Sequence, residues 1–199
     1  ADFRFEGYEI LPYSYQVPGM PSLFDTNEET GQTLIIRMKE RASEVRAYLY
    51  YGIFEEKNVI TKAVRIENHG KSPVVLSKCL SGCLDFQYGE YELITFPGRH
   101  AMERSLERNK VGRTKLEVGS IRGTSSHQYN PAVILCTPGT TEDHGECYGE
   151  CLVYSSNFIA SAQKDQRGQI RVLMGIHPEQ FSFCLNEGEA FDTPQVILS

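Results

Sequence analysis

The sequence predicts an all-β fold, a large antiparallel β-sandwich, and three observations carry that expectation. Apolar residues recur with period two in one run after another, as half-buried strands require. Turn chemistry separates those runs at spacings of about 10–15 residues, the rhythm of a sandwich. Composition agrees, because 17 Gly and 9 Pro stand among many β-branched and aromatic residues, which favours short strands joined by turns. With 199 residues the expectation is a single domain over 1–199. At that size about 70% of the unfolded chain's surface is buried on folding.

Each strand has its own justification. In 34–39, Leu34, Ile36 and Met38 alternate with Arg37 and Lys39. In 45–53 the odd positions Val45, Ala47, Leu49, Tyr51 and Ile53 are apolar. In 59–66, Ile60, Val64 and Ile66 share one face, with Thr61 and Arg65 on the other. Ile170, Val172, Met174 and Ile176 share a face, and Phe181, Phe183 and Leu185 repeat the pattern. The segments TNEETGQT, ENHGKSP, DQRGQ and LNEGEAF supply turns between them. The stretch 99–111 is ambiguous. Met102 and Leu106 are spaced for a helix, yet Met102, Arg104, Leu106 and Arg108 also alternate, and a strand or irregular connection is preferred. Both termini look cut, as if the domain were truncated at each end.

Composition also excludes functions. Twenty Lys+Arg against 26 Asp+Glu leave a formal charge of −6, the wrong sign for a dedicated binder of nucleic acid or an anionic membrane. No apolar run approaches a membrane span. Six cysteines occur, with the spacing C-x3-C at Cys79/Cys83 and Cys147/Cys151. Four thiolates in two pairs are enough for a tetrahedral zinc site. The spacing is looser than C-x2-C and lacks the Gly-rich turn, so buried free thiols are favoured over zinc or disulfides. No signal segment opens the chain, and a reducing, cytoplasmic compartment is expected. None of the five histidines has a recognised metal spacing. His69 reads as a solvated turn residue and His177 as a loop cap.

Two polar clusters stand out: RGTSSHQYNP (122–131) and TTEDHGECYG (140–149). Arg122, Ser125, Ser126, His127, Gln128 and Asn130 offer hydrogen-bond donors, and Glu142, Asp143, His144 and Glu146 offer acceptors and an imidazole. Such a surface suits a sugar or another domain. Equally, the side chains can satisfy the backbone of two connections, and that plainer reading is preferred on residue types alone. A triad of Ser126, His144 and Asp143 is disfavoured, because no strand–elbow–helix G-x-S-x-G surrounds the serine. Nothing in the spacing of Glu142 and Glu146 sets up a glycosidase carboxylate pair.

The same clusters carry a resemblance. RGTSSHQYNP resembles the RGxSSHQxNPF segment of the N-terminal domain of glycoside hydrolase family 36 α-galactosidases, and TTEDHGECYGECLVYSSNF resembles its TEDHGEVYGFxLVYSGNF. DFRF, YELITFPGRHAMER and GIHPEQFSFCLNEGEAFDTPQVILS are similar to further stretches of that domain. The likeness runs in order over essentially the whole chain. It implies a galactose-mutarotase-like β-supersandwich preceding a catalytic (β/α)8 barrel. It also implies retaining hydrolysis of terminal α-galactosides such as melibiose and raffinose-type sugars, by a carboxylate nucleophile and a carboxyl acid/base. No metal and no organic cofactor are implied. The family's K-W-D nucleophile motif and its later S-G-G acid/base segment do not occur here, so no catalytic residue is carried over. His100, Ala132, Cys147 and Phe183 stand where the family has Trp, Phe, Val and Trp.

The expectation is a noncatalytic domain whose partners are its own catalytic barrel, further copies in a homo-oligomer and, through the parent enzyme, an α-galactoside. The interdomain or pocket-rim candidates are Arg122, Ser126, His127, Gln128, Asn130, Asp143 and His144. The alternative is a free-standing carbohydrate-binding or structural sandwich. In either case open strand edges should make the isolated chain self-associate.

Overall fold

The computed structural model describes residues 1–23 and 31–199. Among the described residues the chain forms β1 (Phe3–Leu11), β2 (Gln32–Glu40), β3 (Val45–Phe54), β4 (Val59–Asn68), β5 (Val74–Leu76), β6 (Gly82–Phe86), β7 (Glu92–Thr95) and β8 (Glu107–Lys110). It continues with β9 (Leu116–Ser120), β10 (Ala132–Cys136), β11 (Cys147–Leu152), β12 (Phe158–Lys164), β13 (Ile170–Ile176), β14 (Phe183–Leu185), β15 (Ala190–Asp192) and β16 (Val196–Leu198). The helical content of the described residues is one 3-10 turn, Glu55–Lys57. Of the expected turns, residues 26–30 fall outside the described residues, and the other three occur where the sequence places them.

Every strand pairing among the described residues is antiparallel. The large sheet runs β1-β2-β3-β4-β16-β11-β10-β7-β8, with β15 also on β4. A four-stranded sheet, β6-β13-β12-β9, packs on one part of it, and the pair β14-β5 packs on another. Between the two larger sheets lies the main core. Leu93, Val133, Leu135, Leu152 and Val196 come from one side, and Phe158, Ala160, Val172 and Met174 from the other. Ile170, Val172 and Met174 are each no more than 1% exposed, as their alternation predicts. A second cluster joins Val45, Ala47, Ile66 and Leu185 under β5 and β14.

Register shows how far the covered face extends. Ala47 pairs with Met38 and Ile66, and Tyr51 pairs with Leu34 and Lys62. Lys62 in turn pairs with Val196, and Ile60 with Leu198. One face is therefore continuous from β1 to β7. The four-stranded sheet covers its β16–β7 half, but the outer half keeps Phe5, Tyr8, Ile10, Ile53 and Ile60 exposed. The opposite face of β2–β4 is crossed by the segment after β1. Thr33 Oγ1 donates to Tyr13 O at 2.7 Å and accepts from Tyr15 N–H at 2.9 Å. Tyr15 and Val17 are thereby held over Ala63.

Two expectations need correction. The cysteines are free, but Cys147, Cys151 and Cys184 are exposed and Cys79 and Cys83 half-buried, leaving Cys136 as the buried one. The reason is parity: in β11 the core takes Tyr148, Glu150 and Leu152, so 147 and 151 face outward. Phe181 is not in a strand; it closes a turn through its N–H to Pro178 O at 3.1 Å and meets the Phe191 ring edge-on. Asp143 and His144 lie in the turn between β10 and β11. Phe5, Tyr8, Tyr13 and Tyr88 are exposed aromatics. The stretch 99–111 contains no helix. Ala101 and Arg104 adopt positive φ, and β8 follows.

Candidate functional site

The two polar clusters sit at opposite ends of β10. Residues 122–131 lead into Ala132, and 137–146 form the β10–β11 hairpin tip beyond Cys136. Five residues of strand span about 17 Å, so Ser126 and His144 do not meet. No triad forms across the clusters.

The first cluster lies against two neighbouring connections. Ser125 N–H donates to Ser155 O at 3.0 Å, and Gly123 N–H to Asn157 Oδ1 at 2.6 Å. Gly98 N–H donates to Gln128 O at 3.0 Å. Gly98 has to be glycine, because a Cβ there would strike His127 O and the backbone of Glu103 and Arg104. Ser126 Oγ accepts the Gln128 N–H at 3.1 Å, and Asn130 makes a long 3.5 Å contact to Phe96 O. These two candidates are occupied with local structure. Arg122 and His127 are exposed and Gln128 is half-buried; among the described residues their side chains have no partner. Tyr129 helps line an open cleft of about 230 Å³ with Ser120, Glu117, His177 and Glu179. His177 Nδ1 accepts the Glu179 N–H at 3.1 Å, the loop-capping role expected of it. His69 reaches Glu67 at 2.9 Å in its exposed turn.

The second cluster is largely self-satisfied, as the plainer reading anticipates. Thr137 N–H donates to Glu146 O at 3.0 Å, and the Thr137 and Thr140 hydroxyls lie 2.8 Å apart. Thr141 Oγ1 lies 2.9 Å from His144 Nδ1 and accepts the Asp143 N–H at 3.2 Å. Gly145 closes the turn at φ +105, where a side chain would also hit Thr140. From β8, Arg108 clamps the loop. Its guanidinium donates to Thr140 O at 2.7 Å and Thr137 O at 3.3 Å and pairs with Glu92 at 2.5 Å. The carboxylates of Glu142, Asp143 and Glu146 face solvent without a partner among the described residues. They form neither a metal cluster nor a pocketed pair.

One feature escapes inspection of the sequence. The outward face of the four-stranded sheet forms a groove of about 1050 Å³, lined by Arg113, Lys115, Lys164, Arg167 and Arg171 with Asp85 and Asp165. Arg171 and Asp85 make a two-pronged pair at 2.7 Å, and Arg171 holds the Asp85 carboxyl below its ordinary range. Asp165 accepts the Arg167 and Gln169 amides at 2.8 Å. Lys164 pairs with Glu90 at 2.6 Å, which with Lys110 draws that carboxyl down to about 2. Alternation marks Arg171 as outward, but convergence with Asp85 depends on the β13–β6 register. No helix among the described residues is long and apolar enough to cross a membrane.

Comparison with known proteins places these features in a family context. The sequence pattern of the glycosyl hydrolase family 36 N-terminal domain matches residues 1–186. The chain is 48% identical over its whole length to the bifunctional α-galactosidase/sucrose kinase AgaSK of Mediterraneibacter gnavus, of which it covers 21%. It is 37% identical to α-galactosidase Mel36A of Lactobacillus acidophilus over 98% of its length, covering 26% of that protein. Among solved structures, the galactosidase domain of AgaSK superposes with a TM-score of 0.97 over 100% of this chain and 28% of that one. The family 36 α-galactosidase AgaA of Geobacillus stearothermophilus superposes with a TM-score of 0.96 at 36% identity, over 99% of this chain and 27% of AgaA. The chain thus spans about a quarter of the length of the relatives it matches.

Proposed function

The chain belongs to the N-terminal domain family of glycosyl hydrolase family 36, and from that premise we propose that it is the noncatalytic β-sandwich of an α-galactosidase. The observation that carries the proposal is the end-to-end match, 48% identity and a TM-score of 0.97, to one region of such an enzyme. The parent polypeptide would hydrolyse terminal α-galactosides, melibiose or raffinose-type, with retention. Its two catalytic carboxyls would lie outside residues 1–199, in a barrel on which this domain packs. No metal or organic cofactor takes part in that chemistry.

Three features support the supporting role. The family motif RGTSSHQYNP leaves Arg122, His127 and Gln128 with donors that the domain does not use itself. Asp143 and His144 project from a hairpin held rigid by Arg108. An apolar face on β1–β4 is uncovered, which suits contact with a further domain or a second copy. In this reading Arg122, Ser126, His127, Gln128 and Asn130, with Asp143 and His144, form interdomain or pocket-rim hydrogen bonds, and the domain contributes to oligomer contacts. A second reading, a carbohydrate-binding sandwich, has one observation in its favour: the polar groove on the four-stranded sheet.

The test is an α-galactoside assay of the full-length polypeptide beside residues 1–199 alone. Galactose release by the first and none by the second is expected. Without release by either, the enzyme reading falls. In the active polypeptide, His127→Ala and His144→Ala should lower activity or shift the oligomer; wild-type kinetics and size in both variants would remove the assigned role. Titrating residues 1–199 with galactose addresses the second reading, since unmoved amide NMR shifts would eliminate it.

A further inference from the structure

The register sets Cys136 of β10 directly opposite Cys147 of β11. The hydrogen bonds flanking them identify the kind of pair. Thr137 N–H donates to Glu146 O at 3.0 Å, and Leu152 N–H donates to Pro131 O at 2.9 Å. Both of these are hydrogen-bonded positions, and the two kinds alternate along an antiparallel ladder. Cys136/Cys147 is one step from Thr137/Glu146 and is therefore a non-hydrogen-bonded pair. In such a pair the Cα atoms lie about 4.5 Å apart, with both side chains on one face. A disulfide accepts Cα separations of about 4.4–6.8 Å, so a bridge fits this site without moving the backbone.

The surroundings give the two sulfurs different roles. Cys147 is exposed and Cys136 is buried, and both are free. Cys136 Sγ lies 3.6 Å from Glu92 O. The Arg108 guanidinium is within electrostatic reach of both sulfurs, and at Cys136 it favours the thiolate. At Cys136 burial opposes it and holds the thiol above its ordinary range. The more regular spacing, Cys147 and Cys151, cannot bridge: four residues of strand separate them by about 13 Å, against a limit of about 7 Å.

We propose that Cys136 and Cys147 are a redox modification site, a dithiol that a small disulfide such as oxidised glutathione converts reversibly into a cross-strand disulfide. The exposed Cys147 thiolate attacks one glutathione sulfur, forming a mixed disulfide and expelling one glutathione thiolate. The Cys136 thiolate then attacks Cys147 Sγ and expels the second. The two protons lost by the cysteines are taken up by the two departing thiolates. Two electrons pass from the protein to the oxidised glutathione. The new bond closes the base of hairpin 137–146, which carries Asp143 and His144.

The experiment equilibrates the full-length polypeptide with mixtures of oxidised and reduced glutathione, then maps its peptides by mass. The expected product is a Cys136–Cys147 crosslink, two hydrogens lighter than the reduced peptides, free of glutathione and reversed by dithiothreitol. Cys136→Ser should leave glutathione trapped on Cys147, and Cys147→Ser should abolish the crosslink. Since Cys147 is exposed, its serine variant keeps the test sound even if Cys136→Ser fails to fold. Glutathione retained on wild-type Cys147, linkage of Cys147 to another cysteine, or no reaction at the most oxidising ratio would each overturn the proposal.

Discussion

Glu150 lies in the core at 2% exposure, and neither carboxyl oxygen has a hydrogen-bond partner. Lys62 attracts it, but the ammonium donates to Cys83 O at 2.5 Å. Burial pushes the Glu150 carboxyl up to about 7 from an ordinary 4.5, with Lys62 opposing. The folded state therefore binds this proton more tightly than the unfolded chain does. Its stabilising contribution is complete below about pH 4.5 and lost as pH rises through about 7, a change of roughly 3 kcal/mol. Urea unfolding at about pH 5 and about pH 8 checks it; the wild type should lose stability across that window and Glu150→Gln should flatten the loss. A flat wild-type profile would contradict the assignment. Gly82 faces the same carboxyl, and a Cβ there would overlap Glu150 Oε1. Gly82→Ala should cost about 1–3 kcal/mol in the same assay. Alternation gives no warning of Glu150, because CYGECLVY reads as an apolar strand carrying one ordinary acid.

Among the elements, β10–β11 combines a buried stem with a polar tip. The stem is legible, since Val133 and Leu135 alternate with half-buried neighbours. The tip's order is not, because its clamp comes from Arg108, 29 positions away from Thr137 in sequence. Arg108→Ala should speed amide exchange at Thr140 and Thr141 while leaving β12 protected; unchanged exchange would show that the loop holds itself. Across the core, Phe158 opens β12 at 0% exposure. Truncation to Ala should cost about 3–5 kcal/mol, read as a lower urea midpoint. The disputed segment 99–111 is decided at this scale too. Met102 and Leu106 are 54% and 64% exposed, so a helix presenting them would have had no surface to bury them against.

For the whole molecule, the question is what remains uncovered. The four-stranded sheet and the β5–β14 pair cover only part of the large sheet, and Phe5, Tyr8 and Ile10 stand on an edge strand with no neighbour beyond it among the described residues. An exposed edge with apolar side chains favours strand-to-strand association. Residues 1–199 alone should form dimers or larger species as concentration rises, and Tyr8→Lys with Ile10→Lys should reduce this. Light scattering decides the point, and a clean wild-type monomer would refute it.

The chain's own order of residues determined the strands, most of the turns, the absence of catalytic motifs and the family likeness. Each is a local property: alternation, φ preferences and contiguous motifs need no knowledge of distant partners. Only the tertiary structure decided which face of each strand is covered. It placed the two polar clusters at opposite ends of β10, gathered Arg113, Arg167 and Arg171 around one groove, and set Cys136 against Cys147. Those outcomes depend on register and sheet order, which join residues far apart in sequence. In a sheet a shift of one residue exchanges inside for outside. That is why the regular Cys147/Cys151 spacing is visible in the sequence, while the pair that meets across the hairpin is not.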